Sequence, residues 1–178
     1  MKTSVIYNEK AITLLIKKKI EEYTSCKQLI EEHLEKLENH KLMSCKLEDV
    51  PSSSHNYIYA DGTFNIMKVR SIVGVGEKTW MQALNDILPQ GHNFSSEYNC
   101  SGKRDGKNPF SLAYFNASIE NKSELGQGNE TDREWAVVEI DGRIHVRNGK
   151  HRTIIARALY CLGMINSEIP VNKLCKIS

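Results

Sequence analysis

Lys150, His151 and Arg152 follow directly on Gly149, at the point where a strand-like pattern gives way to a helical one. A helix N-terminus leaves backbone N–H groups without intrahelical partners, and the peptide dipoles favour negative charge in front of it. Glycine lets that backbone come close to an anion. An arginine grips phosphate with two parallel hydrogen bonds, and a lysine adds a point charge. Burying such a basic pair with neither an anion nor a carboxylate beside it would be costly. Gly149, Lys150, His151 and Arg152 are therefore read as a phosphate-binding turn. The competing reading is structural: His151 and Arg152 pair with Asp141, Glu139 or Asp132 and serve only the fold. Asp141, His145, Arg147 and Glu77 are the candidate supporting residues. Strand alternation turns His145 and Arg147 away from Ile144 and Val146, so they either line the same site or face solvent. His145 and His151 make no metal site, because no third ligand stands at a suitable spacing.

The turn needs a strand before it and a helix after it. Trp135, Val137, Val138 and Ile140 read as a strand, Asp141-Gly142 as a tight turn, and Ile144 to Arg147 as the returning strand. Asn148-Gly149 makes the second turn. A helix then runs from Lys150 or His151 through Ile154, Ile155, Ala158, Leu159 and Leu162 to a terminator at Gly163. Ile169-Pro170-Val171 begins a short strand.

Upstream, two amphipathic helices are expected. One covers about 9–23 with Ile12, Leu15, Ile16, Ile20 and Tyr23 on one face. The other carries Cys26, Leu29, Ile30, Leu34 and Leu37, with Ser25 and Gln28 as a capping box. Tyr57, Ile58 and Tyr59 start a strand that turns at Asp61-Gly62 and returns through Phe64, Ile66 and Val69 as a hairpin. Gly74, Gly76, Lys78 and Thr79 suggest a Walker A loop, but Glu77 intrudes and the GxxxxGK[ST] spacing is absent. A loop into a helix from about Thr79 to Leu88 is the plainer reading, with Trp80, Ala83, Leu84 and Ile87 buried and Pro89 and Gly91 as stop. Residues 92–133 hold a basic cluster, Lys103, Arg104 and Lys107, and an apolar island, Phe110, Leu112, Tyr114 and Phe115. They read as a solvated loop and core, or as a nucleic-acid contact.

The chain of 178 residues suits one domain with a helical addition: 1–40 packed on a domain of 41–178. With 40% hydrophobic and 26% charged residues a core can form and wholesale disorder is not expected. A net charge of +2 leaves any nucleic-acid claim to local basic patches. Five cysteines, an odd number with no CxxC pair, fit the cytoplasm or another reducing compartment. Lys17, Lys18 and Lys19 break the first apolar stretch, so no signal peptide and no membrane partner are expected.

From Val137 through Asp141-Gly142, Asn148-Gly149 and the His151-Arg152 pair to Ala158-Leu159, then Gly163 and Ile169-Pro170-Val171, the chain resembles the signature of the ParB/sulfiredoxin superfamily. The resemblance spans about residues 135–174, and the stretch Ile66 to Ile72 would supply the family's first strand. It implies an α+β fold: a small mixed sheet with a strand–turn–helix unit and an N-terminal helical addition. It also implies nucleotide phosphates held by Gly149, His151 and Arg152, with ATP or CTP and Mg2+ as cofactors. Lys150 stands where sulfiredoxin-like members carry the catalytic cysteine, which argues against sulfinic acid reduction. Asn148 stands where kinase-like members carry an acid, leaving Glu77 as candidate base. The chain shows no helix-turn-helix after the unit, so classical partition function is not expected. The first expectation is a nucleotide-binding hydrolase or phosphotransferase. The second is a DNA-binding protein or nuclease using Arg143 and Arg147 as well. The third is a non-catalytic protein whose N-terminal helices hold a protein partner.

Overall fold

The computed structural model describes residues 26–52, 56–89 and 135–177. The expected helix at 9–23, the cluster Lys103, Arg104 and Lys107, the apolar island and Asp132 lie outside the described residues. The described part is a small α+β fold built on one mixed sheet. In chain order it runs α1 (Cys26–Glu32), α2 (Leu34–Glu38), β1 (Ala60–Asn65), a 3-10 turn (Ile66–Lys68), β2 (Val69–Ile72), α3 (Trp80–Ile87), β3 (Ala136–Ile140), β4 (Arg143–Asn148), α4 (Lys150–Cys161) and β5 (Glu168–Ile177). The sheet order is β1-β5-β3-β4-β2. β1 is antiparallel to β5 and β3 to β4, whereas β3 with β5 and β4 with β2 are parallel.

Strand alternation sorts the sheet into two faces. Ile72, Val137, Ile144, Val146, Ile169, Val171 and Leu174 point into one apolar cluster with Trp80, Leu84, Ile154, Ile155 and Leu159 of α3 and α4. α4 is buried nearly all round, as a helix hydrophobic on most sides must be. Leu29, Ile30 and Leu37 of α1 and α2 join the same cluster, so these helices share the core of the sheet. The expected single helix breaks at His33, whose Nδ1 donates to the Leu29 carbonyl at 2.9 Å.

Two expectations change. The predicted hairpin at Asp61-Gly62 is a continuous strand, and Gly62 pairs with Val171. A Cβ at Gly62 would stand 2.6 Å from Leu174 Cδ2, so this glycine serves close strand packing and not a turn. The short strand at Ile169-Pro170-Val171 is ten residues long. Pro170 pairs with Thr63 of β1, and the β3 ladder starts only at Lys173, so the missing N–H costs no ladder bond on that side.

Candidate functional site

β2 and β4 are parallel neighbours, and each leads into a helix. The C-terminal ends of both strands, the loop after β2 and the N-terminus of α4 lie along one edge of the sheet, whereas the N-terminus of α3 packs against Cys45 and, through Trp80, against Arg157 in the second half of α4. The two helix starts differ. Thr79 Oγ1 accepts the Gln82 N–H at 3.1 Å and the Gln82 side chain accepts the Thr79 N–H at 2.9 Å, which closes α3 with a capping box. α4 starts from Gly149 at φ 94°, with no side-chain cap.

Gly149 is fixed from behind. A Cβ there would stand 2.5 Å from Trp135 Cδ1. Trp135 Nε1 donates to Thr153 Oγ1, and Thr153 Oγ1 donates to the Gly149 carbonyl, both at 2.9 Å. Asn148 Oδ1 accepts the Gly149 N–H at 2.8 Å. Glycine is thus required by its left-handed backbone and by the indole, which fills the space a side chain would need. Sequence reading assigned it instead to ligand approach. The Trp135–Thr153–Gly149 chain of contacts went unseen, and the pairing of residues i and i+4 on one helix was its only signal.

The basic residues separate. Lys150 is half-buried, and its Nζ lies 4.0 Å from the point a Cβ on Gly74 would occupy. The loop at 73–79 therefore stands beside the start of α4, although its glycines do not make a Walker A motif. The Val73 N–H donates to the Val146 carbonyl at 3.0 Å, which carries the β2–β4 contact into this loop. Gly74 and Gly76 both have positive φ. Glu77 is exposed on the same loop. His151 is half-buried; burial, then the charges of Lys150 and Arg152, push its pKa down to about 4. It is a neutral donor or acceptor at neutral pH. Arg152 is 1% exposed, with its guanidinium 5.5 Å from the Trp135 ring centroid. It belongs to the packed base of the turn.

Three supporting candidates lie elsewhere. Asp141 sits in the β3–β4 turn, at the far end of β4 from Gly149, and is exposed. The six residues of β4 separate them by roughly 20 Å. His145 faces away from the core and shares a 2.7 Å hydrogen bond with Ser71 Oγ. Burial lowers its pKa, partly offset by Glu48. Arg147 lies over the Tyr57 ring at 5.5 Å. Glu139 pairs with Lys176 at 3.6 Å.

Among the described residues, no group of three or more His, Cys, Asp or Glu side chains is placed to hold a metal ion, and no helix is long and apolar enough to cross a membrane. The chain matches no protein-family model, no curated protein and no solved structure.

Proposed function

We propose that this chain is a nucleotide-binding protein of the ParB/sulfiredoxin type, which holds the phosphates of ATP or CTP at the start of α4 and acts as a hydrolase or phosphotransferase. The observation that carries the reading is the contrast between the two helix starts. α3 closes its own N-terminus with a side-chain box, whereas α4 starts from a side-chain-less Gly149 with Lys150 reaching toward Gly74. Such a helix start suits an anion, and the loop at 73–79 supplies a second wall.

Phosphoryl chemistry rests mostly on positioning and charge. Lys150 would neutralise phosphate oxygens, the first backbone N–H groups of α4 would orient them, and neutral His151 would share a hydrogen bond without adding charge. Glu77 is the acidic residue on the neighbouring loop and the candidate to orient a nucleophile. The residues present fit a phosphate. Among the described residues no set of side chains forms a divalent-metal cage, so Mg2+ would be held mainly by the phosphates, as is common for this ion.

Calorimetric titration with ATP, CTP and GTP, with and without Mg2+, tests the reading. Lys150→Ala should weaken binding by about tenfold or more, the usual worth of a hydrogen bond to a charged group. Arg152→Ala is a poor probe, because it empties a buried site under Trp135. Absence of binding by the wild-type chain to all three nucleotides sinks the proposal.

A further inference from the structure

Two of the five cysteines, distant in the chain, meet around one buried cation. Arg157 and Cys161 stand four residues apart on α4, so their side chains leave the same face of that helix. Arg157 Nη2 donates to the Leu42 carbonyl at 3.0 Å. Cys45 belongs to the same turn, its thiol donating to the Lys41 carbonyl at 3.5 Å. The Cys45 carbonyl accepts the Trp80 N–H at 3.1 Å, and the Arg157 guanidinium lies 4.8 Å from the Trp80 ring. These contacts bring Cys45 to the side of α4 that carries Arg157 and Cys161. The charges agree with that placement. Burial lowers the Arg157 pKa, and Cys161 and then Cys45 raise it. Burial pushes the Cys161 thiol up to about 11, Arg157 opposes this, and Cys45 adds to it. The two sulfurs differ in access: Cys45 is exposed, whereas Cys161 is 7% exposed.

We propose that Cys45 and Cys161 are an oxidation-sensitive pair, which hydrogen peroxide converts to a disulfide that ties the turn of Lys41–Cys45 to the end of α4. Cys45 reacts first because peroxide reaches it from solvent. Its sulfur attacks one peroxide oxygen, the O–O bond breaks, and the departing hydroxide takes the thiol proton to leave as water. The product is a Cys45 sulfenic acid. The Cys161 sulfur then attacks the Cys45 sulfur, the S–O bond breaks, and hydroxide leaves with the Cys161 proton as a second water. Two thiols and one peroxide thus give one disulfide and two waters. A buried thiol held neutral is a poor target for peroxide, so Cys161 waits as the resolving partner. As its proton leaves, the Arg157 guanidinium is the charge that favours the thiolate. Thiol reductants reverse the bond by exchange, so it marks oxidation and does not replace the apolar core.

Peptide mass spectrometry of the full chain decides the matter. The folded, reduced protein is exposed to hydrogen peroxide, its remaining thiols are blocked with N-ethylmaleimide before unfolding, and the digest is run without reductant. A peptide joining Cys45 to Cys161, lighter by two hydrogens than the free pair and split by dithiothreitol, is the expected product. Cys45→Ser should abolish it, and Cys161→Ser should leave a sulfenic acid at Cys45 that dimedone traps. Cys175→Ser should leave the link in place. A crosslink between such distant residues restricts the unfolded chain, so peroxide should raise the urea midpoint of wild type and not that of Cys45→Ser. The map of the wild-type chain needs no variant, so it carries the test even if the Cys161→Ser chain fails to fold. Both thiols intact after peroxide, a link from either one to Cys26, Cys100 or Cys175, or a Cys45–Cys45 dimer of two chains overturns the proposal.

Discussion

His151 sits between two cations, Lys150 and Arg152, and is half-buried, and these conditions all oppose its protonation. Its folded pKa of about 4 lies below the ordinary 6.5. A histidine depressed in this way contributes stability that is fully present above 6.5 and is lost as pH falls toward 4, because the unfolded chain takes up the proton first. Burial lowers the pKa of His145 as well, so it acts in the same direction. Urea unfolding should therefore give a flat stability above pH 7. Between pH 6.5 and 4 it should decline, His151 supplying no more than about 3 kcal/mol, and less as water screens the half-buried ring. His151→Gln should remove part of that decline, and a slope unchanged by the substitution would refute the assignment. The residue scale is also where sequence reading was least complete. The types and spacing at 149–152 are plain in the string, but a string does not say that Trp135 fills the space before Gly149. Nor does it say that Arg152 turns inward while Lys150 turns toward Gly74. Those are tertiary facts, set by what α4 packs on.

At the scale of elements, local chemistry and periodicity agreed at the start of α3, at the β3–β4 turn and along α4. Thr79 and Gln82 close α3 within four residues, and Trp80, Ala83, Leu84 and Ile87 recur at helical spacing, so this helix was readable from its own segment. Thr79→Ala should leave the Gln82 N–H without its hydroxyl partner and destabilise the chain by about 1 kcal/mol. A lower urea midpoint at unchanged slope would register it, and a midpoint equal to wild type would show that the cap contributes nothing here. The β3–β4 hairpin and α4 were readable for the same reason. Asp141-Gly142 marks the turn, with Asp141 and Gly142 both at positive φ, and Gly163 ends the helix at φ 72°. Gly62 misled because glycine answers two different demands. Next to Asp61 it reads as a turn, yet here it answers a partner strand more than one hundred residues away, whose Leu174 leaves no room for a Cβ. The length of β5 was hidden for a related reason: its neighbours β1 and β3, and not its own polar residues, keep Glu168–Ile177 extended.

At the scale of the molecule, one side chain ties the distant parts together. Arg157 Nη1 donates to the Ile66 carbonyl at 3.2 Å, and Nη2 donates to the Leu42 carbonyl at 3.0 Å. These partners lie 91 and 115 residues away in the chain. Its guanidinium also lies 4.8 Å from the Trp80 ring and meets Met67 Sδ at 3.2 Å. Arg157 is 3% exposed, and among the described residues its partners are carbonyls, a thioether and a ring, with no carboxylate. Burial lowers its pKa, yet an arginine stays charged, so the fold keeps a cation inside by surrounding it with dipoles. Arg157→Ala removes that charge but strands the buried Ile66 carbonyl and the part-buried Leu42 carbonyl, and opens space against Trp80. The loss should be about 3 kcal/mol, a large share of the 5–15 kcal/mol that holds an ordinary domain. Arg157→Lys separates charge from shape. A lysine brings the same charge on a single nitrogen, which cannot span the Leu42 and Ile66 carbonyls as the planar fork does. Its urea midpoint should therefore fall nearer to that of the alanine variant than to wild type. Full recovery by lysine would show that this position needs a cation and not a clamp, and the tie between α4, the 3-10 turn and the Leu42 segment would then rest on apolar packing alone.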